Sequence, residues 1–293
     1  MKRILILGSD GMLGQEFSFL ALTNPNNFFF TTRSGRDIFG NSCFKFDCET
    51  DNLDFLLSSV KPEYVINCIG LVKQKIDEIS AETFQKAIEV NAFFPKILGQ
   101  LANKYNYKVI QIATDCVFNG EDGNYIESDL HTANDIYGIT KSLGEVVSPH
   151  FLNLRVSIIG KAIKSKHSIL NWLLIQKQNS LIKGYSNHIW NGITSLAFAK
   201  ICIGIIKNDS FRSGIFHIVP GDKLSKYDLL FALINKFNRT DLQIEKFELA
   251  DKKDLSLLTM FPSINSTFWL QAGYSEPPSI KYLVNEMTLP ELI

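Results

Sequence analysis

The chain has no surplus of charge: its 293 residues carry 30 Lys and Arg against 30 Asp and Glu. Without a net field to gather a polyanion, neither a nucleic acid nor an anionic membrane is expected as a partner. Cysteine is sparse and unpatterned. Cys43, Cys48, Cys68, Cys116 and Cys202 form an odd set with no Cys-x-x-Cys spacing, which argues against a disulfide framework and fits thiols kept reduced in a cytoplasm. The five histidines include no pair at metal-ligand spacing, so no structural zinc is expected. Long apolar runs are missing too. The opening stretch ends at Gly8, too early for a signal peptide, and nothing reaches the roughly 18–20 apolar residues that span a membrane.

What the chain does have is enough hydrocarbon for a core, 45% hydrophobic against 20% charged residues. Its first half alternates short apolar strands with helical stretches. Strands are predicted at Ile4–Leu7, Phe28–Thr32, Phe44–Phe46, Tyr64–Cys68, Val109–Ala113 and Phe151–Val156, with helices between them. The long helical pattern from about Asp77 to Tyr105 is expected to bend or break near Pro95, unless that proline sits in a first turn and starts a new helix. Unbroken apolar strands separated by helices imply an α/β fold, a doubly wound parallel Rossmann sheet with its ligand crevice at the strand carboxyl ends. Residues 1–156 read as the dinucleotide-binding domain, rejoined in part by about 194–219. Residues 157–193 and 220–293 read as a smaller C-terminal substrate-binding lobe.

Gly8-x-x-Gly11-x-x-Gly14 follows the first strand and opens a helix, the context of a phosphate-binding turn. Gly8 suits the tight bend, Gly11 the approach of a pyrophosphate, and Gly14 the packing of helix on strand. Gly8, Asp10, Gly11, Met12, Leu13 and Gly14 are therefore candidate cofactor contacts, with free N–H groups and the positive helix end holding the anion. An acid at the end of the second strand would select NAD. Here Arg33 stands there, a cation suited to a 2′-phosphate, so NADP(H) is favoured and NAD(H) stays open. Asp47, closing the third strand, either accepts from the adenine amine or caps the next helix.

Tyr137 and Lys141 are four residues apart, on one face of a helix. A phenol beside an ammonium is a general acid or base in waiting, because the cation favours phenolate. A lowering by about two or three pKa units corresponds to roughly 3–4 kcal/mol. Thr114, at the end of the strand Val109–Ala113, is placed to donate to a substrate oxygen or to cap its own turn.

Six stretches, in order, carry a family resemblance. They are Gly8 to Gly14, Val65 to Gly70, Glu89 to Pro95, Ile112 to Gly120, Tyr125 to Asp129 and Tyr137 to Glu145. In these the chain resembles the extended short-chain dehydrogenase/reductases, and among them the dTDP-4-dehydrorhamnose reductase group. The resemblance implies an NAD(P)H-dependent oxidoreductase that reduces a 4-keto-6-deoxy sugar carried on a nucleoside diphosphate. Thr114, Tyr137 and Lys141 match the catalytic trio: Tyr137 protonates the nascent alkoxide, Lys141 tunes it and holds the nicotinamide ribose, and Thr114 orients the carbonyl. Cys68, Ile69 and Gly70 would line the cofactor, and Asn91 would brace that strand end. Similarity to Asn-Cys-Ile-Gly variants of polysaccharide-biosynthesis proteins implies a capsule or lipopolysaccharide precursor, and a homodimer is compatible with the family.

Two departures fall on the substrate side. Cys116 replaces the usual Tyr after Thr-Asp, and Ile193 replaces the usual Pro before Thr194. Asp115, Cys116, Tyr185, Asn187 and Trp190 are the candidate sugar-nucleotide contacts, Trp190 alternatively being a core anchor. Lys161, Lys164, Lys166, Lys177 and Lys183 are candidate partners of the diphosphate. Two other functions fit the same scaffold: an epimerase or dehydratase that retains NAD, and a non-catalytic nucleotide-binding regulatory subunit.

Overall fold

Ile4–Leu7 forms the first strand, β1, with every residue buried. Side chains alternate across a pleat, so Ile4 and Ile6 enter one apolar cluster while Leu5 and Leu7 enter a second. A strand covered on both faces needs hydrocarbon at every position. That need explains the unbroken run. The computed structural model describes residues 2–22, 28–36, 43–163 and 168–288.

The succession continues with α1 (Gly14–Ala21), β2 (Phe28–Thr32), β3 (Cys43–Lys45), α2 (Leu53–Val60), β4 (Tyr64–Asn67), α3 (Ala81–Ala87), α4 (Phe94–Tyr105), β5 (Lys108–Ala113), α5 (Ile136–Leu143) and β6 (Phe151–Arg155). Then come β7 (Ile158–Ile159), α6 (Ile169–Leu174), β8 (Leu181–Tyr185), β9 (His188–Trp190), β10 (Ile193–Thr194), α7 (Ser195–Lys207) and β11 (Gly214–His217). The chain closes with β12 (Leu224–Ser225), α8 (Lys226–Lys236), β13 (Gln243–Phe247), β14 (Lys253–Asp254), α9 (Pro262–Gln271) and α10 (Ile280–Glu286).

Seven strands pair in parallel in the order β11-β6-β5-β4-β1-β2-β3. This is the doubly wound order with one added strand, and its direction reverses between β1 and β4, where a crevice opens at the carboxyl ends. The helices α1, α7 and α9 supply Phe17, Phe198 and Trp269 to one face. The other face takes Leu57 from α2 and Leu98 from α4. A third apolar cluster lies outside the sheet and gathers Leu173, Trp190, Leu229, Leu233 and Val284.

The long helix does not break at Pro95. α3 runs through one π-helical turn, Ile88–Phe93, into α4, with Pro95 in the first turn of α4. Such a turn absorbs the missing N–H without ending the helix. It also sets Asn91 facing the sheet: its side chain accepts from Leu71 N at 2.8 Å and donates to Leu71 O at 3.0 Å. α5 is shorter than the sequence pattern suggests. It stops at Gly144, which packs so closely on the Asn91 carbonyl that a Cβ there would stand 1.9 Å from the oxygen.

Candidate active site

A cleft of about 480 Å³ opens where the carboxyl ends of β1, β4, β5 and β6 meet the elements outside the sheet. β1 delivers Gly11, Met12 and Leu13 to it, and the segment after β4 delivers Cys68, Ile69 and Gly70. β5 ends in Thr114, Asp115 and Cys116, and α5 turns Tyr137 and Lys141 inward. Trp190, from β9, and Lys226, from α8, close the far side.

The glycine turn is built as its spacing requires. Gly8 has φ +77°, in the left-handed region. A Cβ on Gly14 would lie 2.2 Å from Gly8 O and 2.6 Å from the Ser9 Cα, so only hydrogen fits between helix and strand. Both obstacles are backbone and cannot rotate away. Gly14→Ala is therefore expected to cost about 1–3 kcal/mol of stability through overpacking, measured as a lower urea midpoint with an unchanged slope. Gly11 is exposed at the cleft. This cradle of bare backbone at the start of a helix suits a dinucleotide pyrophosphate.

Other residues named from the sequence lie around that turn. Arg33 is exposed just past β2. Asp10 and Arg33 are not among the cleft-lining residues. Asp47 accepts from Glu49 N at 3.1 Å, whereas α2 is capped by Asn52, which accepts from Asp54 N and Phe55 N. Asp47 thus caps the turn before the helix, not the helix. Asn91 grips the Leu71 backbone as described and does not line the cleft.

Asp135 caps α5 by accepting from Gly138 N at 2.7 Å, which starts the helix one residue before Tyr137. One turn later Lys141, 8% exposed, donates to Ile112 O at 3.0 Å. Burial lowers the Lys141 pKa to about 8, against the pull of Glu145 and Cys116. The phenol moves in the direction opposite to the one expected from its neighbour. Desolvation, with Cys116 next, raises the Tyr137 pKa above the ordinary phenol value, and a hydrogen bond with Thr114 only partly offsets it. The cause is local: Lys141 is buried and Tyr137 half-buried, and the Lys141 ammonium is committed to a carbonyl. A phenol so placed stays protonated, which is the form a proton donor needs.

Thr114 does both things open to it. Its hydroxyl accepts from Cys116 N at 3.2 Å, capping a short turn, donates to Asp115 Oδ1 at 3.1 Å, and still faces the cleft. Burial raises the Asp115 carboxyl, and it holds the Cys116 thiol at about 12, so that thiol is no nucleophile. Trp190, 2% exposed, belongs to the third apolar cluster and also lines the cleft.

Two of the candidate substrate residues are elsewhere. Tyr185 packs on His188 and Phe247, with ring centroids 5.3 and 6.3 Å away. Asn187 clamps Leu249, donating to its carbonyl at 2.7 Å and accepting from its N–H at 3.2 Å. Of the lysine cluster, Lys177 and Lys183 are exposed, and Lys161 is half-buried but not in the cleft lining. Lys164 and Lys166 lie outside the described residues. Three other lysines line the cleft instead: Lys73, Lys75 and Lys226. Lys73 also bonds Asp135 Oδ2 at 2.6 Å, tying the segment after β4 to the cap of α5. Nothing in their local sequence marks these lysines, because segments far apart in the chain bring them there.

Known proteins resemble the chain in sequence and in fold. The dTDP-4-dehydrorhamnose reductase of Aggregatibacter actinomycetemcomitans is 25% identical over 248 residues, 80% of this chain and 79% of that protein. The methionine adenosyltransferase 2 subunit beta of Danio rerio is 24% identical over 247 residues, 81% of this chain and 74% of that protein. Among solved structures, the Bacillus anthracis dTDP-4-dehydrorhamnose reductase in complex with NADP superposes with a TM-score of 0.76 at 17% identity, covering 98% of each chain. The family described as RmlD substrate binding domain matches residues 1–253, and the chain belongs to that family.

Proposed function

We propose that the protein reduces a nucleoside-diphosphate-bound 4-keto-6-deoxy sugar with NAD(P)H, in the supply of polysaccharide precursors. The observation that carries this reading is the meeting of Tyr137, Lys141 and Thr114 with the glycine turn in one cleft. The backbone from Gly8 to Gly14 and the segment Cys68 to Gly70 would hold the dinucleotide, and a bound nicotinamide supplies hydride to the sugar C4. The chain's own residues handle the proton. Thr114 steadies the carbonyl oxygen, and the protonated Tyr137 hydroxyl gives its proton to that oxygen as negative charge develops. Lys141, whose pKa sits at about 8, keeps a positive charge near neutrality beside the developing alkoxide. Lys141 would also hold the nicotinamide ribose through its remaining N–H groups.

In this reading residues 1–156 bind the dinucleotide, and 157–193 with 220–293 bind the sugar nucleotide. The working location is the cytoplasm, in keeping with five free cysteines. No described helix is long and apolar enough to cross a membrane. The exposed apolar side chains Ile139, Leu143 and Val147 along α5 and just beyond it are consistent with a homodimer.

The test is a panel of nucleoside-diphosphate 4-keto-6-deoxy sugars offered with NADPH or NADH, read by mass spectrometry and coenzyme absorbance. One coenzyme oxidised per sugar reduced is expected. Product without net coenzyme loss would indicate an epimerase or dehydratase, and no product with any sugar would leave a binding subunit. Arg33→Ala is expected to raise the KM for NADPH about tenfold, the lower end for a charge-assisted bond at an exposed side chain, and to leave that for NADH unchanged.

A further inference from the structure

Lys226 has no counterpart among the residues that the reaction chemistry explains. It opens α8, outside the sheet, and faces the same cleft as Thr114 and Tyr137. Its ammonium stands 4.9 Å from the centroid of the Trp190 ring. Among the described residues, no oxygen accepts a hydrogen bond from it and no carboxylate lies within 4.0 Å. An ammonium has three donors and no acceptor, and an aromatic face satisfies its charge without using any of them. Burial lowers its pKa, so water does not replace the missing acceptors in full, and Asp115 and Cys116 pull the other way.

Asp115 is the complementary half. It is 2% exposed and lines the same cleft. Thr114 and Cys116 donate to its Oδ1, at 3.1 and 3.6 Å, and Ser157 is a third partner. A carboxylate offers about four lone-pair sites, so capacity remains. A buried carboxyl and a half-buried ammonium therefore line the same cleft, each acting on the other's charge without an ion pair between them. A group that bridges them must accept from one side and donate to the other. A carboxylate would be repelled by Asp115 and an ammonium by Lys226, whereas a hydroxyl satisfies both.

We infer that Lys226 is a specificity-determining residue which, with Asp115, reads the sugar hydroxyl next to the reacting carbonyl. Asp115 is hydrogen-bonded to Thr114, which in the keto-reductase reading steadies the carbonyl oxygen, so the hydroxyl concerned is the nearest one. In a 4-keto-6-deoxy hexose that is the hydroxyl on C3, since C5 carries only the methyl branch and the ring oxygen. The inference rests on the keto-reductase reading and names which part of the sugar the enzyme inspects.

The experiment compares the wild type, Lys226→Met and Lys226→Arg on the panel of nucleoside-diphosphate 4-keto-6-deoxy sugars and on 3-deoxy counterparts of the members turned over. For Lys226→Met, KM for the 3-hydroxy sugar is expected to rise about 10- to 100-fold, the worth of a hydrogen bond to a charged group. NADPH affinity, read by fluorescence, and kcat should stay near wild type, with partial recovery in Lys226→Arg. The wild type should lose a similar factor on the 3-deoxy sugar, and Lys226→Met should distinguish the two sugars far less than the wild type does, keeping only the part that Asp115 supplies. A Lys226→Met enzyme that still discriminates between them as the wild type does would overturn the inference while leaving the reductase reading intact. A wild type that reduces no member of the panel would remove both.

Discussion

Replacing Tyr137 by Phe is expected to lower kcat for keto-sugar reduction by about 10²–10⁴-fold, the range a positioned general acid contributes. The ring would keep its place, because α5 is fixed by its Asp135 cap and by the packing of Gly144 on the π-helical turn. Only the hydroxyl would go. KM for the sugar nucleotide and the affinity for NADPH should therefore stay within a few-fold of wild type, the signature of an interaction made mainly in the transition state. The raised phenol pKa sharpens the expectation, since nearly every molecule carries the proton at neutral pH. Steady-state kinetics with the best member of the sugar panel decides it. A fall of less than about tenfold would assign the proton to another donor.

The second large effect concerns stability. Arg155 and Glu145 form a buried bidentate pair, Nε to Oε1 at 2.7 Å and Nη2 to Oε2 at 2.8 Å, with side chains only 2% and 4% exposed. The guanidinium also donates to Glu127 O at 3.2 Å and meets His131 Nε2 at 2.6 Å and His217 Nε2 at 3.2 Å. One side chain thus joins β6, β11, the turn that follows α5 and the segment between β5 and α5. Glu145→Ala strands that charge without its counterion and is expected to cost about 3–5 kcal/mol, a large share of a typical folding free energy. Urea denaturation would measure it. Loss below about 1 kcal/mol would mean that water or the histidines take over the carboxylate's role.

Glu145 also reaches the chemistry. Its charge holds the Lys141 pKa up against burial, so the milder Glu145→Gln should lower that pKa further. Lys141 would then lose its proton at lower pH, and the alkaline limb of the activity profile should shift downward.

The parts of the site that could be read from the sequence are those made by local spacing. Gly8 and Gly14 announce a turn because Gly8 takes a positive φ and backbone stands where a Cβ on Gly14 would be, while Gly11 leaves the backbone bare at the cleft. Tyr137 and Lys141 share a face because a helix repeats every 3.6 residues. The apolar strands announce a sheet covered on both sides for the same kind of reason. Asn91 was legible as a brace, although the π-helical turn that aims it was not, since Pro95 reads equally well as a break.

Lys226, Lys73 and Lys75 left no such trace. An opening lysine on α8 looks like a solvated helix end until β9 and β5 are brought up against it. Tyr185 and Asn187 looked equally suited to a ligand, yet each is engaged by a neighbouring loop or strand. The sign of the Tyr137 shift was hidden as well: spacing places a cation nearby, but only packing sets how much water is removed and where that cation's hydrogen bond goes.

The sequence by itself therefore determined the doubly wound sheet, the glycine turn and the phenol–amine pair, because each rests on contacts within a few residues or on one repeating pattern. Tertiary structure alone decided which charges face the cleft, which candidates are occupied elsewhere and in which direction the Tyr137 phenol titrates. Those properties depend on distance and desolvation between segments remote in the chain, and no local pattern encodes either.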